Sequence, residues 1–512
     1  MLQIRNCTLT HKKDLRVILQ EFQLTLNDGD KAVLIGEEGN GKSTLMKWLF
    51  DPELVEGYVE AKGERILNHQ KLGYLPQEMS MAEKQKTIYA YFTESSCFYD
   101  QSPKELAGMA KRFMVSEDFF YGEQTMGSLS GGERIKAQLM RLLMERPDVL
   151  LLDEPSNDVD IDTLELLERI IKEWKQIVLF ISHDETLIEN TANMVIHLEQ
   201  IMRKTKSRYT VAKMPYQQYV TERLHAFERQ EQQAITERKD KQVREEKYRR
   251  LLQKVEHAQG AVSRQAPSVA KNLKDKMHTV KAMGKRFEKM NENMTEMPQQ
   301  EEAIFFKLGE GQEKMPAGKI VLEYDLSELR TPDGERVLAR DIHLLMRGQT
   351  KVCLVGKNGC GKTTLLKKIK DSLKERTDIS VEYMPQNYEE LLDLEKTPVD
   401  FLDLSGDKEE RTRIRTYLGA LKYTADEMDH PMQELSGGQK AKVLLLKMSL
   451  SKANVLILDE PTRNFSPLSG PVIRRLLSEF PGAILCISHD RKMIREVCDT
   501  VLRLTESGLE QA

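Results

Sequence analysis

Ser130 and Ser436, Asp153 and Asp459, and His183 and His489 are each separated by 306 positions. Their neighbours repeat with them. Leu129-Ser-Gly-Gly-Glu133 returns as Leu435-Ser-Gly-Gly-Gln439, and Val149-Leu-Leu-Leu-Asp-Glu-Pro155 returns as Val455-Leu-Ile-Leu-Asp-Glu-Pro461. Ile181-Ser-His-Asp184 returns as Ile487-Ser-His-Asp490. Three motifs in one register mean an internal duplication, so the chain must fold as two similar units plus whatever lies between them. At 512 residues it has room for two or three domains, each able to bury a core.

Each unit opens with strands. Residues 1–35 alternate apolar and polar positions, turn at Asp28-Gly29-Asp30, and reach the apolar run Ala32-Val-Leu-Ile35. Gly36-Glu-Glu-Gly39-Asn-Gly41-Lys42-Ser43 follows at once, and Thr44 then continues a helical stretch. Strand, glycine loop and helix in that order make a phosphate-binding loop. Backbone N–H groups wrap phosphates, Lys42 reaches the outer phosphates, and the Ser43 hydroxyl holds Mg2+ at the positive end of the helix. The same order recurs at Lys351-Val-Cys-Leu-Val355, Gly356-Lys-Asn-Gly359-Cys-Gly361-Lys362-Thr363 and Thr364. Cys360, inside the second loop, reads as a tolerated small side chain.

The two Asp-Glu-Pro motifs end apolar strands in paired carboxylates. Asp153 and Asp459 suit the magnesium shell, while Glu154 and Glu460 suit orienting or deprotonating the attacking water. A purely structural acid pair would not explain two copies in step with two phosphate loops. Ser130-Gly131-Gly132 and Ser436-Gly437-Gly438 each open a helix of long side chains and form a second small anion site.

Charge is spread unevenly. Residues 201–300 carry 23 Lys and Arg against 12 Asp and Glu, or +11, and the remainder carries 54 against 69, or −15. A basic middle between acidic flanks suits approach to nucleic acid, and equally a solvated helical surface. The middle lacks glycine and proline over long runs of helix formers. After a break at Gly260 and Pro267, Leu273, Met277, Val280, Gly284 and Phe287 step by four and three, with Met290 and Met294 beyond. Before the break, Val220, Leu224 and Phe227 lead through Glu231, Ala234, Arg238, Lys241 and Glu245 to Tyr248, Leu252 and Val255. This spacing predicts a coiled-coil seam in an antiparallel hairpin, apolar at base and tip and charged midway. Its tip falls at Ser263-Arg264-Gln265-Ala266-Pro267, flanked by lysines and arginines that suit phosphate contacts. With few aromatics, shape recognition of structured RNA fits better than base stacking.

The longest apolar runs fall far short of the ~20 residues that span a bilayer, and Met1-Leu-Gln-Ile-Arg lacks the shape of a secretion signal. The expected location is cytoplasmic. The six cysteines show no short metal-type spacing, and Cys353 and Cys486, in strand-like runs, read as buried filler.

Together with Gln77 of Tyr74-Leu-Pro-Gln77 and Gln386 of Tyr383-Met-Pro-Gln386, these motifs make the chain resemble the ABC ATPases over about four-fifths of its length. The resemblance implies an α/β fold: two tandem ABC-type P-loop ATPase domains joined by a long α-helical antiparallel hairpin linker, with boundaries at 1–210, 211–305 and 306–512. It also implies head-to-tail cassettes within one monomeric chain. One ATP site would join Lys42, Ser43, Gln77, Asp153, Glu154 and His183 to Ser436, Gly437 and Gly438. The other would join Lys362, Thr363, Gln386, Asp459, Glu460 and His489 to Ser130, Gly131 and Gly132. Mg2+ would lie with Ser43, Gln77 and Asp153, and with Thr363, Gln386 and Asp459. Two departures stand out. Where ABC cassettes stack adenine on an aromatic, the matching regions offer His11 and Leu329-Arg-Thr-Pro332. The loop Ser156-Asn-Asp-Val-Asp160 corresponds to Thr462-Arg-Asn-Phe-Ser-Pro467, which lacks the final Asp, so unequal turnover is expected.

Two cassettes around a charged helical linker resemble the ABC-F family, and the 461–467 loop resembles its antibiotic-resistance, ribosomal-protection type. The Gln-to-Ser spacings of 53 and 50 leave no room for a large first-cassette insertion, and the second cassette ends near Thr505. The resemblance implies a 70S ribosome partner, with 23S rRNA and the P-site tRNA at the linker. ATP closure would set that posture and hydrolysis would release it. The competing expectations are a housekeeping ABC-F translation factor and the ATPase subunit of a transporter.

Overall fold

The structure is a computed structural model. It describes residues 1–157, 159–201, 206–260, 267–291, 294–295, 308–309, 313–403 and 405–512. Contacts divide the chain into two compact units, residues 1–216 with 301–512, and residues 217–300.

The first cassette contains β1 (Leu2–His11), β2 (Val17–Leu26), β3 (Lys31–Ile35), β4 (Val59–Ile66), β5 (Leu72–Leu75), β6 (Val149–Asp153), β7 (Ile177–Ile181), β8 (Met194–Ile201) and β9 (Lys206–Ala212). The second contains β10 (Ile320–Arg330), β11 (Val337–Arg347), β12 (Lys351–Val355), β13 (Val381–Met384), β14 (Val455–Asp459), β15 (Ala483–Ile487), β16 (Thr500–Thr505) and β17 (Gly508–Gln511). Two six-stranded sheets have matching orders, β5-β6-β7-β3-β8-β9 and β13-β14-β15-β12-β16-β17. Each is parallel except for its last strand. The duplication read from the sequence is thus a duplication of topology.

Continuous apolar runs explain why these strands lie in the middle. Every residue of β6, β7, β14 and β15 is buried. A parallel strand covered on both faces needs no alternation, because neither face meets water. The second sheet shows the division: Leu456 and Leu458 enter one core, while Val455 and Ile457 enter the other. Burying side chains of this size stabilises by about 1.5–3 kcal/mol each.

The unit at 217–300 is an antiparallel pair of helices. The first runs Tyr216–Gly260 and the second Pro267–Asn291. At 1.5 Å per residue the first is about 68 Å long. The break falls where glycine and proline predict it. Of the expected tip, Ser263, Arg264, Gln265 and Ala266 lie outside the described residues, and Pro267 is described only as the start of the second helix.

Packing corrects part of the predicted seam. Val220, Phe227, Ala234, Lys241, Tyr248 and Val255 turn inward as expected. At the next step the inward position lies one residue earlier than expected: Leu224 is 54% exposed, while Arg223 turns in and lays its guanidinium over the Phe227 ring at 4.7 Å. On the second helix Met290 is exposed and Asn291 takes the inward position. The apolar side chain was the wrong guide because a three-then-four step puts the long stem of Arg223 on the seam, where it can cover apolar surface.

Two contacts fix the register. Glu237 accepts from the backbone N–H of Thr295 at 2.6 Å and its hydroxyl at 3.0 Å. A Cβ at Gly284 would lie 2.8 Å from the Tyr248 ring, so glycine is what lets the helices approach there. Eleven residues on along the first helix match eleven back along the second, as antiparallel pairing requires. The charged middle is therefore held by a carboxylate capping a backbone N–H as well as by side-chain packing.

Candidate active sites at the cassette interface

The carboxyl ends of four adjacent parallel strands deliver the expected site residues to one edge of each sheet, where open α/β sheets bind ligands. In the first cassette β3 leads to Gly36, β5 to Gln77, β6 ends in Asp153 before Glu154, and β7 leads to His183. Gly36, Gly39 and Gly41 have φ of 146°, 81° and 88°, which only glycine adopts without strain. The loop therefore curls around Lys42, whose Nζ donates to Gly36 O at 2.8 Å and Glu37 O at 2.9 Å. Thr44 follows on the helix Lys42–Phe50, which has no side-chain cap, so its first N–H groups remain available to an anion. The second loop is built alike, with Gly356, Gly359 and Gly361 at positive φ. Lys362 bonds Gly356 O at 2.8 Å and Lys357 O at 3.0 Å, and Thr363 and Thr364 open the helix Lys362–Leu373.

The first site is fully wired. Ser43 Oγ donates to Asp153 Oδ1 at 2.9 Å and the Tyr74 hydroxyl to Asp153 Oδ2 at 3.1 Å. Glu154 Oε2 accepts from Gln77 at 2.9 Å and Asn157 at 2.5 Å, and its Oε1 lies 3.3 Å from His183 Nε2. His183 Nδ1 lies 2.7 Å from Phe465 O, in the other cassette. A carbonyl only accepts, so Nδ1 carries the proton.

The Ser436-Gly437-Gly438 segment of the other cassette closes on this site. Gly438 N–H donates to Glu38 Oε2 at 2.6 Å, and Lys442 Nζ to Glu37 Oε1 at 2.7 Å. Ser436 and Ser130 act as N-caps, each in a capping box with the residue three on, Gln439 or Glu133. That box was legible as Ser-x-x-Glu/Gln. The paired acids Glu37 and Glu38 were visible inside the loop, but nothing local announced their partners 400 residues away.

The second site carries Thr363, Gln386, Asp459, Glu460 and His489 at the matching positions. Thr363 bonds Asp459. Among the described residues, Asp459 Oδ2 and the Tyr383 hydroxyl are buried with no partner. Glu460 Oε2 accepts from His489 N at 3.3 Å and its Oε1 is 3.7 Å from His489 Nε2, while His489 Nδ1 has no partner among the described residues. A cavity of about 460 Å³ lies here, against about 30 Å³ beside Glu38 and Gly438. Lys362, Thr363, Gln386, Asp459, Glu460 and His489 line it from one cassette, and Gly131 and His183 from the other. Thr331 and Leu338 line it too; of these Leu338 escaped sequence reasoning. Ser130 and Gly132 are not in that wall. His11 is instead paired with Asp14 at 2.8 Å.

Glu154 and Glu460 both adopt left-handed backbone, φ 51° and 52°, at a cost of about 1–3 kcal/mol each. Their protonation differs. Burial pushes Glu154 up, but the hydrogen bond and charge of His183, with Lys42 and Asn157, bring it down to about 2. Burial and the charge of Asp459 push Glu460 up to about 8. Burial, with Lys362 adding to it, takes His489 down to about 4. Burial also raises Asp153 to about 6 against the bonds from Ser43 and Tyr74, and raises Asp459.

These composite sites, each with a phosphate loop facing the other cassette, belong with a known family. The family model described as ABC transporter matches residues 19–157 and 339–463, just over half of the chain. The chain belongs to the ABC transporter family of ATPases. The putative ATP-binding protein YdiF of Bacillus subtilis is 27% identical, over 96% of this chain and 78% of its own. The ribosome protection protein VmlR of the same organism is 26% identical, over 97% and 85%. Both are ABC-F proteins. In fold, the chain resembles archaeal ribosome recycling factor aABCE1, solved with the stalk protein aP1, with a TM-score of 0.58 at 16% identity, covering 99% and 90%. No described helix of this ABC ATPase is long and apolar enough to cross a membrane.

The two carboxylates predict different pH behaviour. A base works only when ionised; as bases, Glu154 would be ready throughout neutral pH and Glu460 would gain its charge as pH rises through about 8. With Glu154→Gln, leaving Glu460, ATPase activity should climb through about pH 8. With Glu460→Gln it should stay level across neutral pH. Single-site ATPase pH profiles check this.

Proposed function

We propose that this ABC-F ATPase binds the 70S ribosome and protects the peptidyl transferase centre from antibiotics of the lincosamide, pleuromutilin and streptogramin A type. The observation that carries this reading is the match to a ribosome protection protein over 97% of this chain, spanning both cassettes and the helices between them. The basic helix pair supports it. Exposed Lys247, Arg249, Arg250, Lys274, Lys281 and Lys285 suit phosphate contacts with 23S rRNA and the P-site tRNA, which position without reading sequence. Coiled-coil packing would make the pair stiff enough to carry the tip, Ser263 to Pro267, to the drug site.

The chemistry follows from the sites. Lys42 and Lys362 with the glycine N–H groups would hold the ATP phosphates, and Ser130 to Gly132 and Ser436 to Gly438 would close on them from the opposite cassette. Glu154 and Glu460 would orient the attacking water, with His183 and His489 holding them. The hydroxyls of Ser43 and Thr363, the carboxylates of Asp153 and Asp459, and the side chains of Gln77 and Gln386 offer hard oxygens suited to Mg2+, and the unpartnered Asp459 Oδ2 is such a ligand atom. The ion would draw off phosphate charge. Because each site uses both cassettes of one chain, a monomer suffices. The ATP-closed form binds the ribosome in the cytoplasm, and hydrolysis releases it.

Glu154→Gln with Glu460→Gln should abolish turnover, leave ATP binding intact, and trap the protein on ribosomes. Co-sedimentation in ATP reads this, and a double variant that stays in the supernatant removes the ribosome from the account. Expression in a susceptible host should raise tolerance to at least one of the three drug classes. Unchanged sensitivity to all three would instead assign a housekeeping translation role, with the ATPase chemistry untouched.

A further inference from the structure

Cys353, Cys486 and Cys498 are far apart in sequence but meet in the second cassette, their sulfurs all within 4.8 Å of one another. Strand register explains the meeting. Cys353 on β12 pairs directly with Cys486 on β15, so both side chains leave the same face of the sheet. Cys498 ends the helix Arg491–Val497, two residues before Thr500, which pairs with Val352 on the other side of β12. Cys486 Sγ and Cys498 Sγ are 3.6 Å apart. Zinc–sulfur bonds of about 2.3 Å place thiolates bound to one tetrahedral ion about 3.8 Å from each other. The sulfurs are therefore near the spacing that a shared ion imposes.

The first cassette fills the matching positions with Val33, Phe180 and Ala192, so the fold does not need thiols there. Cys353 and Cys486 are buried, while Cys498 is partly exposed and gives a way in.

We propose that Cys353, Cys486 and Cys498 form a binding site for a soft d10 metal ion, zinc or copper(I). Binding displaces the thiol protons to solvent and leaves three thiolates on the ion, with no change of oxidation state. The ion ties β12, which leads into Gly356 of the phosphate loop, to β15, which leads into His489. It thereby braces the two strands that shape the second ATP site.

The full-length protein, reduced and stripped with a chelator, should take up one Zn2+ per chain in competition with a chromophoric chelator. Cd2+ should give sulfur-to-metal charge-transfer absorption. Cys498→Ser should weaken binding by more than about 100-fold, since even outer partners of metal ligands cost 10–100-fold. Cys353→Val, which installs the first cassette's residue, should do the same, and Cys97→Ser should bind as the parent does. Cu+ displacing Zn2+ supports the site and makes copper(I) its occupant. No uptake of either ion, uptake that survives both Cys498→Ser and Cys353→Val, or conversion of Cys486 and Cys498 to a disulfide without metal binding would overturn it.

Discussion

A buried ionic seam holds the two cassettes against each other. Glu185, directly after the His183-Asp184 pair, accepts from Arg474 at 2.8 and 3.2 Å and from Lys492 at 2.9 Å. Glu185 and Arg474 are each only 5% exposed. Arg491 adds a bond to Asp184 at 3.1 Å and an ion pair with Glu168 at 2.5 Å. Burying a bare charge costs several kcal/mol, so these groups are tolerable only when every partner is present. The seam therefore favours one relative placement of the cassettes and disfavours slipped ones. It also joins the ends of β7 and β15, the strands that lead to His183 and His489.

The two ATP sites are partnered differently among the described residues. His183 is anchored across the interface on Phe465 O and touches Glu154, whereas His489 Nδ1 has no partner among the described residues and Nε2 stands 3.7 Å from Glu460. The loop after each Asp-Glu-Pro motif contributes. Asp160 caps the helix Ile161–Glu173 through Thr163 N. Its counterpart Ser466 makes no such cap, the following helix starts only at Gly470, and the 462–467 loop presents its backbone carbonyl at Phe465 to His183 instead.

Much of this was legible in the sequence because the chemistry is local. A glycine loop between strand and helix, or two acids ending an apolar run, needs only its neighbours to be recognised. Topology followed, since 306-residue register requires two copies of one sheet. Contacts fixed by tertiary register were hidden. Glu38 to Gly438 depends on cassette closure, and Phe465 acts through a backbone carbonyl that any residue could supply. The thiol cluster emerges only once β15, β12 and β16 lie side by side. In the helix pair, apolarity pointed to Leu224, while the geometry of the helix chose Arg223.

The central claim is that the ionic seam sets the closure on which both ATP sites rely. A double-mutant cycle on Glu185→Gln and Arg474→Met, read by chemical unfolding and by ATPase rate, tests it most directly. The account predicts a coupling free energy of about 1–3 kcal/mol, with each single variant losing stability and turnover together. Additive effects, or single variants with parental ATPase rates, would contradict it.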